Sequence, residues 1–199
     1  MDAHHLETQL ADLARWYGSP QRLQIELHGG PFDPLDAADR YGEICMVLRR
    51  PHGTLLTAIK TFYPSGSFRL LTGGVKHGEL IHDALLREVA EETNLHVRVQ
   101  RFLAAIEYRL PQSGRPDRRF ATFAFLLDEI GGELAMNDPD EQHAAFREIS
   151  IAELPQLAAD LEAAPDQYDP QIRGVWRDWG RFRAVVHRVV HAILTTEPR

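Results

Sequence analysis

The stretch that decides the fold reads GGVKHGELIHDALLREVAEETNL and runs from Gly73 to Leu95. It begins with a glycine-bearing loop and continues with apolar and acidic residues that recur at helical spacing. Glycine allows tight backbone geometry and close approach to a ligand, although a simple turn between a strand and a helix uses the same residue. The pattern therefore predicts a loop followed by a helix that carries a cluster of carboxylates.

The predicted helix has two arcs, because an α-helix turns by about 100° per residue. The charged arc holds Arg87, Glu88, Glu91 and Glu92. The apolar arc holds Leu85, Leu86, Val89 and Ala90. We expect the apolar arc to pack in the core and the charged arc to present three carboxylates with Cβ atoms roughly 5–6 Å apart. Carboxylates this close repel one another, which favours a site for a hard cation such as Mg²⁺, with a solvated acidic surface as the alternative.

The spacing of these residues is more specific than their number. After Gly73 come five residues and Glu79, then seven residues, and the pattern closes with Arg87, Glu88, Val89, Glu91, Glu92, Asn94 and Leu95. This spacing resembles the signature of the Nudix hydrolases, the family that hydrolyses nucleoside diphosphates linked to another group. The resemblance implies an α/β fold, a Nudix-like α/β/α sandwich with a mixed β-sheet. The family's usual glycine near the helix end is Asn94 here, and we expect asparagine to adopt the same left-handed conformation.

The resemblance also implies roles for the residues of the signature. The implied metal ligands are Glu88, Glu91 and Glu92, together with a backbone carbonyl near Gly73, and Glu79 supports the cluster from nearby. One of the three glutamates on the helix is also a candidate general base. The implied metal is Mg²⁺, with Mn²⁺ as a substitute. Arg87 would pair with a carboxylate and hold it in position, as metal sites commonly require.

Two residues outside the signature are candidates by position. In several Nudix enzymes a glutamate on a late loop acts as a base or an extra ligand, and Glu141 lies in such a polar stretch. A solvent-exposed loop glutamate is the alternative. Arg69 lies on the strand that leads into the signature and could contact a substrate phosphate as a bidentate partner. A structural or surface charge is the alternative for Arg69 and for the other charged residues considered, which are Glu107, Arg109, Arg115, Arg118 and Arg119.

Composition limits the class of protein. The chain has 199 residues, 44% of them apolar, which is enough for one domain with a substantial core. A formal charge of −7 argues against binding to a nucleic acid polymer, whereas a small-molecule nucleotide can bind an acidic site through divalent cations. The single cysteine, Cys45, cannot form an internal disulfide, and the first residues lack a secretory signal, so we expect a cytoplasmic protein. No apolar run approaches the roughly 20 residues that cross a bilayer, so we expect no membrane span.

Patterning divides the chain into three parts. Residues 1–41 form an N-terminal extension, with a helix predicted over 4–17 and a strand over 23–27, which we expect to pack on the main domain. Residues 42–165 carry four or five predicted strands around the acidic helix, and the resemblance implies that they form the Nudix hydrolase domain. Within it, Ser150 with Glu153 is a capping-box pattern that begins another helix. Residues 166–199 form a C-terminal extension with a helix predicted from about residue 171 to residue 194.

The C-terminal helix carries two patterns that could suggest other sites. His187 and His191 have the i, i+4 spacing of zinc ligands, but Arg188 occupies the position where a metalloprotease has a glutamate. We therefore interpret both histidines as helix-surface or interface residues. Three aromatic residues could stack on a base, but their helical spacing favours the core or the contact of a homodimer: Trp176, Trp179 and Phe182.

Three functional hypotheses remain open from the sequence. The first is a Mg²⁺-dependent pyrophosphohydrolase acting on a nucleotide derivative, with nucleotide sugars or ADP-ribose ahead of nucleoside triphosphates. The second is a non-catalytic Nudix-like module that binds a nucleotide as a sensor or regulator. Lost signature carboxylates or an attached DNA-binding segment would favour it, and the sequence has neither. The third is an interaction protein with the acidic helix as a docking surface, which predicts that metal does not stabilise the fold.

Overall fold

The computed structural model describes residues 3–27, 39–111, 116–135 and 142–196. The helices in these ranges are α1 (Ala3–Tyr17), α2 (Ile81–Thr93), α3 (Leu154–Glu162) and α4 (Trp176–Thr196). The strands are β1 (Gln21–Glu26), β2 (Arg40–Arg49), β3 (Leu55–Lys60), β4 (Arg69–Lys76), β5 (Leu95–Leu110), β6 (Arg118–Gly132), β7 (His143–Ile149), β8 (Tyr168–Asp169) and β9 (Gly174–Val175).

Seven of the strands form one sheet in the spatial order β1, β5, β6, β2, β4, β3, β7. β1 runs parallel to β5 and β2 runs parallel to β6, whereas the other paired strands are antiparallel. The predicted mixed sheet is therefore confirmed. The strand predicted over 23–27 is β1, at one edge of the sheet. Within the described part of residues 42–165 the sheet has one strand more than the four or five predicted, because β7 at the other edge is mostly exposed and shows little apolar alternation.

Helices cover both faces of this sheet. Leu10 of α1 and Leu85 of α2 belong to the core on one face. Leu157 of α3 and Val190 of α4 belong to the core on the other. Each helix buries one apolar stripe against the alternating apolar residues of the strands. The predicted α/β/α sandwich is confirmed.

The N-terminal extension is part of this packing. β1 extends the sheet, with Gln21 opposite Ala104 of β5. In α1, the side-chain carbonyl of Gln9 accepts a hydrogen bond of 2.9 Å from the backbone N–H of Ile81, the first residue of α2. That N–H has no partner within its own helix, so α1 helps to fix the start of α2. The predicted helix and the predicted strand are confirmed, and the domain boundaries at residues 41 and 165 stay predictions.

The C-terminal part differs from prediction at its start. α4 begins at Trp176, because a short hairpin of β8 and β9 occupies the preceding residues. The two C-terminal helices pack closely at Gly180, where a Cβ atom would lie 1.9 Å from the backbone oxygen of Leu161. The capping box of Ser150 and Glu153 is present and begins a single 3₁₀ turn that leads into α3.

The aromatic residues of α4 lie in the core, as one of the two interpretations predicted. Trp176, Trp179 and Phe182 are each at most 4% exposed. The homodimer itself stays a prediction. Within the described residues, no helix is both long enough and apolar enough to span a membrane.

Candidate active site

Gly73, the first glycine of the signature, lies on strand β4 directly beneath helix α2. A Cβ atom at Gly73 would lie 1.9 Å from Cδ and 2.0 Å from Oε2 of Glu88. Only a glycine leaves room for this carboxylate, which is 5% exposed although it is charged. The first position of the signature therefore shapes the site by letting Glu88 pass over the strand backbone.

Arg87 joins the acidic residues of the signature into one cluster. Its guanidinium donates to both carboxylate oxygens of Glu79, at 2.7 and 2.9 Å. A single nitrogen, Nη1, donates to Glu88 at 2.7 Å and to Glu91 at 2.8 Å. Nη2 also donates to the backbone oxygen of Gly74 at 2.9 Å. The prediction that Arg87 pairs with a carboxylate is confirmed, and one side chain positions three carboxylates.

The charges in this cluster stabilise each other. Hydrogen bonding to Arg87 is the main reason that the pKa of Glu79 lies below its ordinary value, so this carboxylate stays ionised. The same contact with Glu79, with further bonds to Glu88 and Glu91, raises the pKa of Arg87 despite partial burial. Glu79 thus contacts the cluster through Arg87, and its support of a metal site stays a prediction.

Glu92 lies deeper than the other glutamates of the helix. It is 0% exposed, and its Oε2 lies 3.7 Å from Nε2 of His143 on β7, whose side chain is 1% exposed. No sequence pattern predicted a role for His143. A single histidine on a short strand, 51 positions further along the chain, carries no spacing signal that would connect it with the signature.

The orientation of α2 differs from the prediction. Glu88 and Glu92 are buried with the apolar residues of the helix, whereas Leu86 is 44% exposed and Ala90 is also exposed. The expectation that Leu86 and Ala90 would pack in the core was wrong. The helix is rotated so that two carboxylates point toward the sheet, where Gly73 and His143 make room for them and contact them.

The end of α2 agrees with the prediction for its asparagine. Asn94 has φ of 57° and ψ of 16°, which is the left-handed conformation. Its backbone N–H bonds to the oxygen of Ala90, and its side-chain amide donates to the backbone oxygen of Glu133 at 3.1 Å. Asparagine therefore replaces the family's glycine without changing how the helix ends.

Arg69 lies inside the protein beside this cluster. It is 3% exposed, and its guanidinium donates to the hydroxyl of Tyr63 at 3.0 Å and to that of Thr72 at 2.8 Å. Burial opposes its charge, but nearby Tyr63 and Glu92 raise its pKa. These contacts suit the structural alternative, and the predicted phosphate contact stays a prediction. The other late candidate, Glu141, lies outside the described residues.

One of the two spaced histidines of α4 lies inside the protein, so the surface interpretation was wrong for it. His187 is 0% exposed, and its Nε2 accepts a hydrogen bond of 2.9 Å from the backbone N–H of Leu70 on β4. Its Nδ1 lies 2.7 Å from the backbone oxygen of Arg183, to which it donates. Burial lowers the pKa of His187 to about 4, so the ring is neutral and serves to fix strand β4.

The donor atoms of the cluster match a hard cation in chemistry. Carboxylates from Glu88 and Glu91 share one nitrogen of Arg87, and the backbone oxygen of Gly74 bonds to the same guanidinium. Oxygen donors of this kind are the ligands that Mg²⁺ prefers. In the described part of the chain, no three acidic, histidine or cysteine residues stand in a ready arrangement for a metal ion. Arg87 is the group on which the carboxylates converge.

Comparison with known proteins places the chain in a family. The NUDIX domain matches residues 40–172, more than half of the chain. The chain therefore belongs to the NUDIX family, a class of pyrophosphohydrolases. The signature residues that form the cluster all lie within the matched range.

Two relatives illustrate the range of similarity. ADP-ribose pyrophosphatase of Methanocaldococcus jannaschii is 34% identical over 122 residues, which cover 61% of this chain and 69% of the relative. NAD-capped RNA hydrolase NudC of Photorhabdus laumondii is 33% identical over 87 residues, which cover 44% of this chain and 31% of the relative. The chain thus spans about a third of that NudC protein.

Solved structures show lower similarity. An ADP-ribose pyrophosphatase from Streptococcus suis 89-1591 has 16% identity and a TM-score of 0.46, with 79% of this chain and 92% of that chain covered. The E. coli ORF135 protein has 24% identity and a TM-score of 0.44, with 62% and 83% covered. These similarities are too low to inform on the site.

Proposed function

We propose that this protein is a metal-dependent hydrolase that cleaves the pyrophosphate linkage of a nucleoside diphosphate derivative, with ADP-ribose or a nucleotide sugar ahead of nucleoside triphosphates. The supporting observation is the convergence of Glu79, Glu88 and Glu91 on Arg87, directly above Gly73. A purely structural helix gains nothing from the neighbouring carboxylates of Glu88, Glu91 and Glu92, whereas hydrolysis of a polyanion needs a site that can hold cations. The 34% identical ADP-ribose pyrophosphatase supports the choice of substrate class.

The donor chemistry fits Mg²⁺ or Mn²⁺. We propose Glu88, Glu91 and Glu92 as ligands, with a backbone carbonyl near Gly73, and Glu79 as support. When bound, the cation neutralises phosphate charge and lowers the pKa of water. Glu92 is the most buried of the three glutamates and Glu91 the most accessible, with 36% of its side chain exposed. This difference supports Glu91 as the general base and Glu92 as an anchor deep in the site.

The residues of the chain then have separate tasks. Arg87 holds the carboxylates of Glu79, Glu88 and Glu91 in place, which fixes their orientation before substrate binds. Glu91 accepts a proton from the attacking water at its carboxylate. Water attacks one phosphorus, the bridging P–O bond breaks, and the bridging oxygen leaves with the other phosphate. The products are a nucleoside monophosphate and the phosphorylated second group.

The test is product release from a panel of ADP-ribose, nucleotide sugars, nucleoside triphosphates, dinucleoside polyphosphates and NADH, with and without Mg²⁺ or Mn²⁺. Glu92→Gln should remove most turnover of the preferred substrate. Glu162→Gln is the matched control, because Glu162 lies on α3, on the opposite face of the sheet, and pairs with Arg188. We expect a neutral to alkaline optimum, because the nucleophile must lose a proton.

The outcomes separate the hypotheses. Metal-dependent turnover that is lost in Glu92→Gln and kept in Glu162→Gln would establish the enzyme and its substrate. Metal-induced thermal stabilisation without turnover of any compound would favour the sensor. If metal neither stabilises the protein nor supports turnover, the docking-surface hypothesis remains and the proposal is wrong.

A further inference from the structure

A cavity of about 600 Å³ lies on the face of the sheet that α1 and α2 cover. α1 and β1 form one wall, and β5 and β6 form the floor. Ligand pockets in proteins commonly have volumes of about 300–1,000 Å³. The wall from α1 and β1 lies outside residues 40–172, so the N-terminal extension gives this chain a pocket that the matched domain alone does not enclose.

Two small side chains account for the space. Ala105 on β5 and Ala121 on β6 are diagonal neighbours on the floor, because Ala105 lies opposite Phe123 and Ala121 lies opposite Glu107. Both alanines are only partly buried. The half-buried Leu6 of α1 lies across from them as part of the wall. A larger residue at any of these three positions would occupy part of the cavity.

Polar groups ring the apolar floor. Arg22 pairs with Glu7 at 2.8 Å, and Arg119 pairs with Glu107 at 3.0 Å. The side chains of Arg22 and Glu7 are 54% and 60% exposed, so the pair is worth little and can be exchanged for bonds to a ligand. Gln24 adds an amide that can both donate and accept. An apolar floor with donors and acceptors at its edge suits a flat heterocycle joined to a sugar.

Tyr41 connects the cavity with the carboxylate cluster. Its ring lines the cavity, and its hydroxyl donates to the backbone oxygen of Glu79 at 3.4 Å. Glu79 in turn accepts both of the bonds that Arg87 directs to it. Tyr41 therefore both lines the cavity and contacts a residue of the signature.

We propose that this cavity binds the nucleoside end of the substrate and that the N-terminal extension thereby selects it. The inference rests on the proposed function for the position of the diphosphate, but the cavity can be tested without turnover. A nucleoside monophosphate, which is the product that keeps the nucleoside end, should bind here by itself.

The experiment is calorimetric titration of the full chain with AMP, GMP, CMP and UMP. Two variants fill the cavity from opposite sides: Ala121→Phe from the floor and Leu6→Trp from α1. Ala163→Phe is the control, because Ala163 is exposed at the end of α3 on the other face of the sheet. We expect at least one monophosphate to bind, each filling variant to weaken its Kd by about tenfold or more, and the control to keep it. In steady-state kinetics with a substrate that the protein hydrolyses, the filling variants should raise KM while kcat stays nearly constant.

Three results would overturn the inference. The first is that none of the four monophosphates binds the unmodified chain. The second is that both filling variants keep the Kd while circular dichroism shows them folded. The third is an equal loss of binding in Ala163→Phe. If Ala121→Phe does not fold, Leu6→Trp decides, since Leu6 is only half-buried. The protein could also bind a monophosphate, lose this binding in the filling variants and show no turnover. This result would support the cavity as a nucleoside site and contradict the proposed function.

Discussion

The contact between Gly73 and Glu88 makes a sharp prediction for Gly73→Ala. The new Cβ would lie 1.9 Å from Cδ of Glu88, whereas carbon atoms in contact are ordinarily about 3.5–4.0 Å apart. The carboxylate must therefore retreat by about 1.5 Å or more. Gly73 is not among the residues with positive φ, so the effect is steric and involves no backbone strain.

Two magnitudes follow from this displacement. Forcing an extra methyl group into a packed site costs about 1–3 kcal/mol of unfolding free energy, which urea denaturation measures. Misplacing a group of the site by about 1 Å can cost about 100-fold in rate, so kcat with the preferred substrate should fall at least that far. Gly74→Ala is the control, because the atoms nearest to its Cβ would belong to the end of the half-exposed Arg40 side chain, at 2.8 Å.

A double-mutant cycle isolates the contact. Glu88→Ala removes every Glu88 atom that the Cβ would meet, so Gly73→Ala should cost almost nothing in that background. The reasoning is refuted if Gly73→Ala costs the same in both backgrounds, or if Gly74→Ala destabilises the protein as much as Gly73→Ala does.

Three further predictions concern the cluster and its supports. Arg87→Lys should lower kcat by about 100-fold, because an ammonium group cannot make the divergent bonds of the guanidinium to Glu79, Glu88 and Glu91. An unchanged kcat in steady-state kinetics would contradict this role of Arg87. Asn94→Ala should lower the unfolding free energy by about 1–2 kcal/mol, because alanine is strained in the left-handed backbone conformation of this position. Asn94→Gly should lower it less, and equal losses in urea denaturation would argue against the conformational explanation. The pKa of His187 is about 4 in the folded chain, whereas the ordinary value of 6.5 applies to the unfolded chain. Between these two pH values the unfolded chain binds more protons than the folded chain. The unfolding free energy should therefore fall as pH falls through this window. His187→Gln should flatten that fall in urea titrations at several pH values, and an unchanged slope would exclude His187 as its source.

Local patterns predicted much of the fold. The spacing of the signature predicted helix α2 and its preceding loop, and the replacement of glycine by Asn94 predicted the left-handed end that the structure has. Helix α1 and the capping box of Ser150 and Glu153 were also predicted correctly. These features depend on residues within a few positions of one another, so their propensities and spacings are visible in the chain itself.

The sequence alone thus determined which residues belong to the signature and which charged residues form the cluster. The tertiary structure decided which way they point. Glu92 meets His143, Tyr41 contacts Glu79, and the wall of the cavity comes from α1, because packing brings together segments that are far apart along the chain. A helical wheel gives angles between residues on one helix, but the rotation of that helix against the sheet is set by the glycine beneath Glu88 and the other partners that the sheet supplies.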